Sequence, residues 1–244
     1  MFHSYFYDEL YTDIENEEEN KMITLYGVKQ RQINTTKLNM IYESDLEIHN
    51  PNFQKMIYNE GSALYHLYKN GLYKKYDYIG LCQYDMKFFA NTMSNIKNII
   101  KNTSTNCIFN IGYFPDIKDT GFRGGQNYII NKQNNISPGL ETYNKFFKTN
   151  YTAENVTKNL LIICNTFVIP SKMFEKMMSW LEQYFIDNLV LINSDNTNTN
   201  TNTNPGHIIE ALVGMFLSLE VYKGAKYYPF QVEHIWPLYK NKSY

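Results

Sequence analysis

The stretch that most constrains the fold is Tyr76-Asp77-Tyr78-Ile79-Gly80-Leu81-Cys82-Gln83-Tyr84-Asp85-Met86-Lys87-Phe88. An apolar run from Tyr78 to Cys82 breaks at once into a polar tip that carries one carboxylate, Asp85. A short unbroken apolar run is the pattern of a strand buried on both faces, and such strands belong to parallel sheets covered by helices. In open α/β sheets ligands collect at the carboxyl ends of strands, where loops vary while the sheet stays rigid. A carboxylate at that position is placed to hold a metal and, through it, a phosphate. The plainer reading of the same residues is a strand followed by a turn that Asp85 caps.

The chain has 244 residues, 43% hydrophobic and 16% aromatic, which suits a folded α/β domain with a sizeable core; a single domain over 1–244 is expected. Its formal net charge of −1 gives no electrostatic footprint for nucleic acid or for an anionic membrane. Cys82, Cys107 and Cys164 all sit in apolar runs and read as buried thiols of a reducing compartment. No apolar run approaches the ~20 residues of a membrane span, and no signal-like stretch opens the sequence. A cytoplasmic protein without an integral membrane segment is expected. The 22 tyrosines fit either half-buried strands and sugar-stacking surfaces or the codon usage of an AT-rich genome. The alternating Asn/Thr tract at 196–204 is too polar to bury anything and predicts a flexible loop over about 194–205. Such usage suits a large DNA virus, in which case the location is the host cytoplasm, or an AT-rich microbe or protist.

In chain order, the acidic run at 15–20 reads as a solvated segment. Met22–Val28 reads as the first strand, with Tyr26 at its end as a candidate to stack on a nucleotide base. Asn50-Pro51 starts a helix whose apolar period runs from Phe53 to Tyr68, with Asn59 and Glu60 between its apolar positions and Asn70-Gly71 as the stop. A short helix from Ser94 and a strand over Cys107–Ile111 follow. Residues 112–146 read as mostly irregular and facing substrate, with Arg123 beside Gly124-Gly125 as a candidate phosphate or carboxylate contact. Leu160–Ile169 is the strongest strand signal, and Pro170-Ser171 caps a helix with a core stripe through Met173, Phe174, Met177, Leu181, Tyr184 and Phe185. The last helix runs from His207 to Tyr222, with Ile209, Leu212, Val213, Phe216 and Leu219 toward the core. His207 and Glu210 share another face, either as metal ligand and general base or with Glu210 as a first-turn carboxylate complementing the helix dipole. The tail from Tyr227 to Trp236 is expected to pack back over the domain. The sequence contains no P-loop, Gly-x-Gly-x-x-Gly, Cys-x-x-Cys, His-Glu-x-x-His or Gly-x-Ser-x-Gly motif.

Two blocks carry a family resemblance. Asn59-Glu60-Gly61-Ser62-Ala63-Leu64-Tyr65-His66-Leu67-Tyr68-Lys69-Asn70, followed by Asp77-Tyr78-Ile79-Gly80-Leu81-Cys82-Gln83-Tyr84-Asp85, resembles the "E-L-T-x-x-Y-x-x-W-K-N … D-x-I-G-L-x-H-Y-R-R" block of bacterial capsular and exopolysaccharide glycosyltransferases of the GT-A type. Asn165-Thr166-Phe167-Val168-Ile169-Pro170-Ser171-Lys172-Met173-Phe174, with Trp180-Leu181 beyond it, is similar to that family's "N-M-F-I-M-x-K-x-x-F … W-L" segment. The resemblance covers roughly residues 22–220.

It implies a GT-A-like, Rossmann-type α/β/α sandwich with a mostly parallel central sheet. The implied enzyme is a glycosyltransferase using a nucleotide-sugar donor, UDP- or GDP-linked, and a glycan or other hydroxyl acceptor. The implied donor-binding residues are Tyr26, Asn59, Gln83, Tyr84, Asp85, Arg123 and Asn165. A divalent ion, Mn²⁺ or Mg²⁺, is implied on Asp85 and His207. Glu210 is the implied base of an inverting displacement, with Asp116 as the alternative. The sequence departs from the family by keeping one carboxylate in Gln83-Tyr84-Asp85 where GT-A enzymes have two, and by Ala211 in place of an arginine. That departure motivates a second hypothesis, a catalytically inactive GT-A-like domain that binds carbohydrate or a partner. A third is an unrelated α/β nucleotide-binding scaffold.

Overall fold

The computed structural model of the chain describes residues 1–5, 19, 21–28, 39–54, 60–83, 86–103, 106–113, 126–157, 165–192 and 205–234. Its strands are β1 (Phe2–Tyr5), β2 (Thr24–Gly27), β3 (Asn39–Tyr42), β4 (Tyr78–Cys82), β5 (Met86–Phe88), β6 (Cys107–Tyr113), β7 (Phe167–Pro170) and β8 (Lys226–His234). Its α-helices are α1 (Glu60–Lys69), α2 (Thr92–Asn102), α3 (Gln126–Phe147), α4 (Ala153–Thr157), α5 (Ser171–Ile192) and α6 (Pro205–Tyr222). The strands lie in the order β3-β2-β1-β4-β7-β6-β8-β5.

The strands β3, β2, β1 and β4 run parallel, while β7 is antiparallel to both β4 and β6, β8 is parallel to β6, and β5 is antiparallel to β8. The sheet is therefore mixed, which corrects the expected mostly parallel one. Burial on both faces gives β7 the same apolar pattern as β4, and that pattern carries no information about strand direction. A second correction concerns β1. The strand expected first is β2, and the central position between β2 and β4 belongs to Phe2–Tyr5.

Alternation along each strand sorts side chains to two faces. Ile79 and Leu81 of β4, Ile108 of β6, and Phe167 and Ile169 of β7 join the core built with α1, α3, α5 and α6. Cys82, Cys107, Phe109 and Val168 point to the other face, where Met93 and Ile96 of α2 cover them. Gly80 is where β4 and β7 come closest, since a Cβ there would collide with the Phe167 carbonyl oxygen.

Local chemistry sets the helix ends. α1 stops where Gly71 takes φ +66, as the Asn70-Gly71 pair predicts. Glu19, read from sequence as part of a solvated run, is buried; its carboxylate accepts from Asn91 N at 3.2 Å and Ser94 N at 2.9 Å and so caps α2. Ser171 opens α5, but its hydroxyl donates to Tyr76 O at 2.5 Å and ties the helix to the start of β4. Residues 50–54 form a turn, with Asn52 N donating to Asn50 Oδ1 at 2.9 Å, and the helix described here begins at Glu60.

Part of a segment expected to be irregular is regular: residues 126–147 form α3 with Pro138 inside it. The tail expected to pack back over the domain enters the sheet, with Tyr227 to His234 in β8. Gly139 of α3 lets the Leu212 side chain of α6 press against the helix backbone, so packing outweighs a Ser-Pro-Gly sequence that reads as a breaker. α6 is buried on all sides from Ile209 to Glu220, with α1, α3, α4 and α5 around it. The Asn/Thr tract lies outside the described residues; the helices expected on either side of it are α5 and α6.

Candidate active site at the carboxyl edge of the sheet

The parallel half of the sheet grows from β1 to β2 to β3 in one direction, and β4 is added on the other side of β1. Where strand order reverses in this way, the crossovers diverge and leave a crevice at the carboxyl ends of the two strands. Here the pairs Phe2↔Leu81 and His3↔Cys82 set the end of β4 against the start of β1, so that β1 runs on to Tyr5 beyond it. Gln83 follows directly.

The antiparallel strand β7 begins at this same edge, because Leu81 pairs with Phe167. Gln83 N donates to Thr166 Oγ1 at 3.1 Å, which joins the end of β4 to the start of β7. Asn165 and Thr166 are both buried. Asn165 Oδ1 finds no hydrogen-bond partner among the described residues. A buried acceptor left unpaired costs about 1–3 kcal/mol, so this atom is suited to a donor group brought by a ligand. One strand further on, Asn110 of β6 pairs with Phe167, is buried, and donates through Nδ2 to Tyr227 Oη at 3.1 Å.

Helix direction brings more polar groups to this edge. α1 leads through a short 3₁₀ turn into the amino end of β4, so its own amino end lies at the carboxyl edge, with Glu60 buried there. α6 leads through Lys223–Ala225 into β8, which runs in the same sense as β4, so Glu210 near the start of α6 comes to the same edge. Glu210 is 6% exposed. The two helix ends meet where Gly61 abuts Ile209. Because α6 starts at Pro205, Glu210 is in the second turn, beyond the reach of the helix dipole; the reading as a first-turn carboxylate is corrected.

A further polar cluster follows β3. Glu43 Oε1 lies 3.3 Å from His66 Nε2 and accepts from Ser62 Oγ at 3.4 Å, and Gln54 Nε2 is 2.7 Å from His66 Nδ1. Tyr26 is completely enclosed beside this cluster, and burial, then the charge of Glu43, pushes its phenol far above the ordinary range. Its ring offers no open face to a base, and its hydroxyl has no partner among the described residues.

Of the sequence-predicted site residues, Gln83, Asn165 and Glu210 are thus brought to one edge, and Tyr26 lies in the core below it. Asn59, Tyr84, Asp85, Asp116 and Arg123 lie outside the described residues, and His207 is described only in its backbone, in the first turn of α6. Among the described residues no three His, Cys, Asp or Glu side chains gather as a metal site would require.

No protein-family model matches the sequence, and no curated protein does. Among solved structures, the apo structure of a bifunctional glycosyltransferase, WbbM, superposes on 96% of this chain with a TM-score of 0.56 and 14% sequence identity. The chain shares its fold with the matched part of that structure. It spans 45% of the length of that larger protein. No described helix is long and apolar enough to cross a membrane.

Within this fold the residues that sequence reasoning passed over are Thr166, Asn110 and Glu43. Each is a single polar residue in or beside an apolar run. Asn110, inside Cys107-Ile108-Phe109-Asn110-Ile111, is the one with a usable signal, because an amide in the middle of a buried strand requires a partner.

Proposed function

We propose that the chain transfers a sugar from a nucleotide-sugar donor, UDP- or GDP-linked, to a hydroxyl of a glycan acceptor, with inversion at the anomeric carbon. The observation that carries this reading is the crevice between β1 and β4 of a fold shared with a glycosyltransferase, where Gln83, Thr166 and the unpaired Asn165 amide oxygen share an edge with buried Glu210.

In this reading Glu210 takes the proton of the acceptor hydroxyl as that oxygen bonds to the anomeric carbon. The bond from this carbon to the diphosphate oxygen breaks, and its electron pair leaves with the nucleoside diphosphate. A sugar hydroxyl is a poor nucleophile, so a positioned base is required. Asp116 is the alternative base. Asn165 accepts a hydrogen bond from a donor hydroxyl, and Gln83, Tyr84, Asn59 and Arg123 complete the donor contacts. One carboxylate oxygen from Asp85 and one imidazole nitrogen from His207 are a donor set that Mn²⁺ or Mg²⁺ accepts, with the remaining positions left to diphosphate and water oxygens. When bound, that ion offsets charge developing on the leaving diphosphate.

The test is a thermal-shift panel of UDP-, GDP-, CDP- and dTDP-sugars, each with Mn²⁺ and with EDTA. A donor present at about 100 Kd stabilises by roughly 2.7 kcal/mol. Asp85→Ala is expected to lower that shift with metal and to leave it unchanged without. Glu210→Gln is expected to retain the shift and lose transfer; retained transfer moves the base to Asp116. A flat panel favours an inactive carbohydrate- or partner-binding domain.

A further inference from the structure

The amino edge of the sheet, one strand length or about 17 Å from the candidate site, holds two adjoining cavities of about 510 and 760 Å³ with Asp77, Tyr78 and Ile100 as a common wall. The smaller is lined by Lys21, Lys75, Lys97 and Lys101, all exposed, against one carboxylate, Asp77. A chain of net charge −1 does not place four lysines around one cavity by average composition. Lys75, Lys97 and Lys101 form no ion pair with any described residue. Lys97 and Lys101 stand four apart on α2, where like charges repel; Lys101, in the last turn, complements the helix dipole, and no such role falls to Lys97.

The rest of the lining narrows the ligand class. Tyr76 is 51% exposed in the same cavity and braced edge-on against Phe2 at 6.4 Å. An open, braced aromatic ring is a platform for the apolar face of a sugar. Asn39 beside it, and Thr103 and Asn106 in the adjoining cavity, offer donors and acceptors suited to hydroxyl groups. Inorganic phosphate would use the lysines alone and leave Tyr76 idle. A cleft that is cationic, aromatic and hydroxyl-binding at once fits a carboxylated sugar chain.

We propose that this cleft binds an acidic oligosaccharide, with carboxylates on Lys75, Lys97 and Lys101 and a sugar face on Tyr76. The site is separate from the transfer edge and does not depend on the proposed reaction.

The full chain is titrated calorimetrically with trigalacturonate, maltotriose, triglutamate and tripolyphosphate. Trigalacturonate is expected to bind saturably, and the double change Lys97→Glu/Lys101→Glu to raise its Kd by about tenfold. The double change to arginine keeps the affinity within about twofold. Tyr76→Ala weakens trigalacturonate and leaves any tripolyphosphate binding unchanged. Absence of saturable trigalacturonate binding overturns the proposal, as does equal affinity for maltotriose, triglutamate or tripolyphosphate. These outcomes are independent of the donor panel, so failure of either reading leaves the other standing.

Discussion

Replacing Gly80 with alanine tests how β4 and β7 meet. The added Cβ would fall on the carbonyl oxygen of Phe167 and 2.7 Å from Val168 Cγ2, with Val168 the direct cross-strand partner of Gly80. A side-chain tip can rotate away, but a strand carbonyl cannot, so the two strands have to part. Overpacking of this kind costs about 1–3 kcal/mol, and each weakened ladder hydrogen bond adds roughly 0.5–1.5 kcal/mol. Against this, alanine narrows the unfolded ensemble by about 0.4–1 kcal/mol. At mid-range values, with one or two such bonds weakened, the expected net loss is about 2–3 kcal/mol, and at roughly 2–4 °C per kcal/mol for a chain of this size Tm falls by roughly 4–12 °C. Urea unfolding followed by circular dichroism measures it. Gly80→Ala/Val168→Ala should recover only part of the loss, because the carbonyl remains in place. A Tm within about 2 °C of the parent, or full recovery in the double variant, refutes the reasoning. Since Gln83 lies three residues on and its N–H is tied to Thr166, the same variant should also weaken donor binding.

Two other perturbations follow from buried groups. Glu19→Ala removes the acceptor for two amides at the start of α2 and should cost about 1–2 kcal/mol, with Glu19→Gln between it and the parent; equal urea midpoints would show that the cap contributes nothing. Tyr65, Tyr73 and Tyr143 have phenols pushed well above the ordinary 10.0, chiefly by burial, with hydrogen bonds to Glu182 and Glu175 adding at the first two and the charge of Glu220 at the third. The folded state therefore holds protons that the unfolded state releases, so the contribution of these three tyrosines to stability is constant below pH 10 and is lost above it. The share of tyrosinate absorbance that is lost on replacing Tyr65, Tyr73 and Tyr143 by phenylalanine should rise together with unfolding and not ahead of it; complete ionisation in the folded chain contradicts this.

The elements legible in the sequence are those whose burial writes a pattern. β4 shows as an unbroken apolar run, and the α5 stripe from Met173 to Phe185 is buried as its spacing predicts. β1 was not legible, because four residues, Phe2-His3-Ser4-Tyr5, have no period, and their place at the sheet centre is set by strands far along the chain. β8 was hidden by Pro229. That residue pairs with Asn110 on β6, whereas β5 engages β8 only from Val232 onward, so the missing N–H interrupts no ladder on the β5 side. For the site, the polar tip after β4 and Asn165 pointed to the carboxyl edge that is proposed above. Glu43 and Thr166 gave no such mark, since a lone polar side chain acquires a direction only when its neighbours are placed.

The close seating of α6 has a consequence for how this chain can diversify. Gly61 is fitted to Ile209 and Gly139 to Leu212, so a methyl group added at either glycine requires the side chain opposite to move or to shrink. Variation should therefore travel in pairs across these contacts: alanine at 61 would accompany valine at 209, and alanine at 139 a smaller residue at 212. A mutational library that samples these positions in pairs would find alanine at 61 and 139 better tolerated than one that samples them singly. Glu210, one residue beyond Ile209, would hold its place through each exchange.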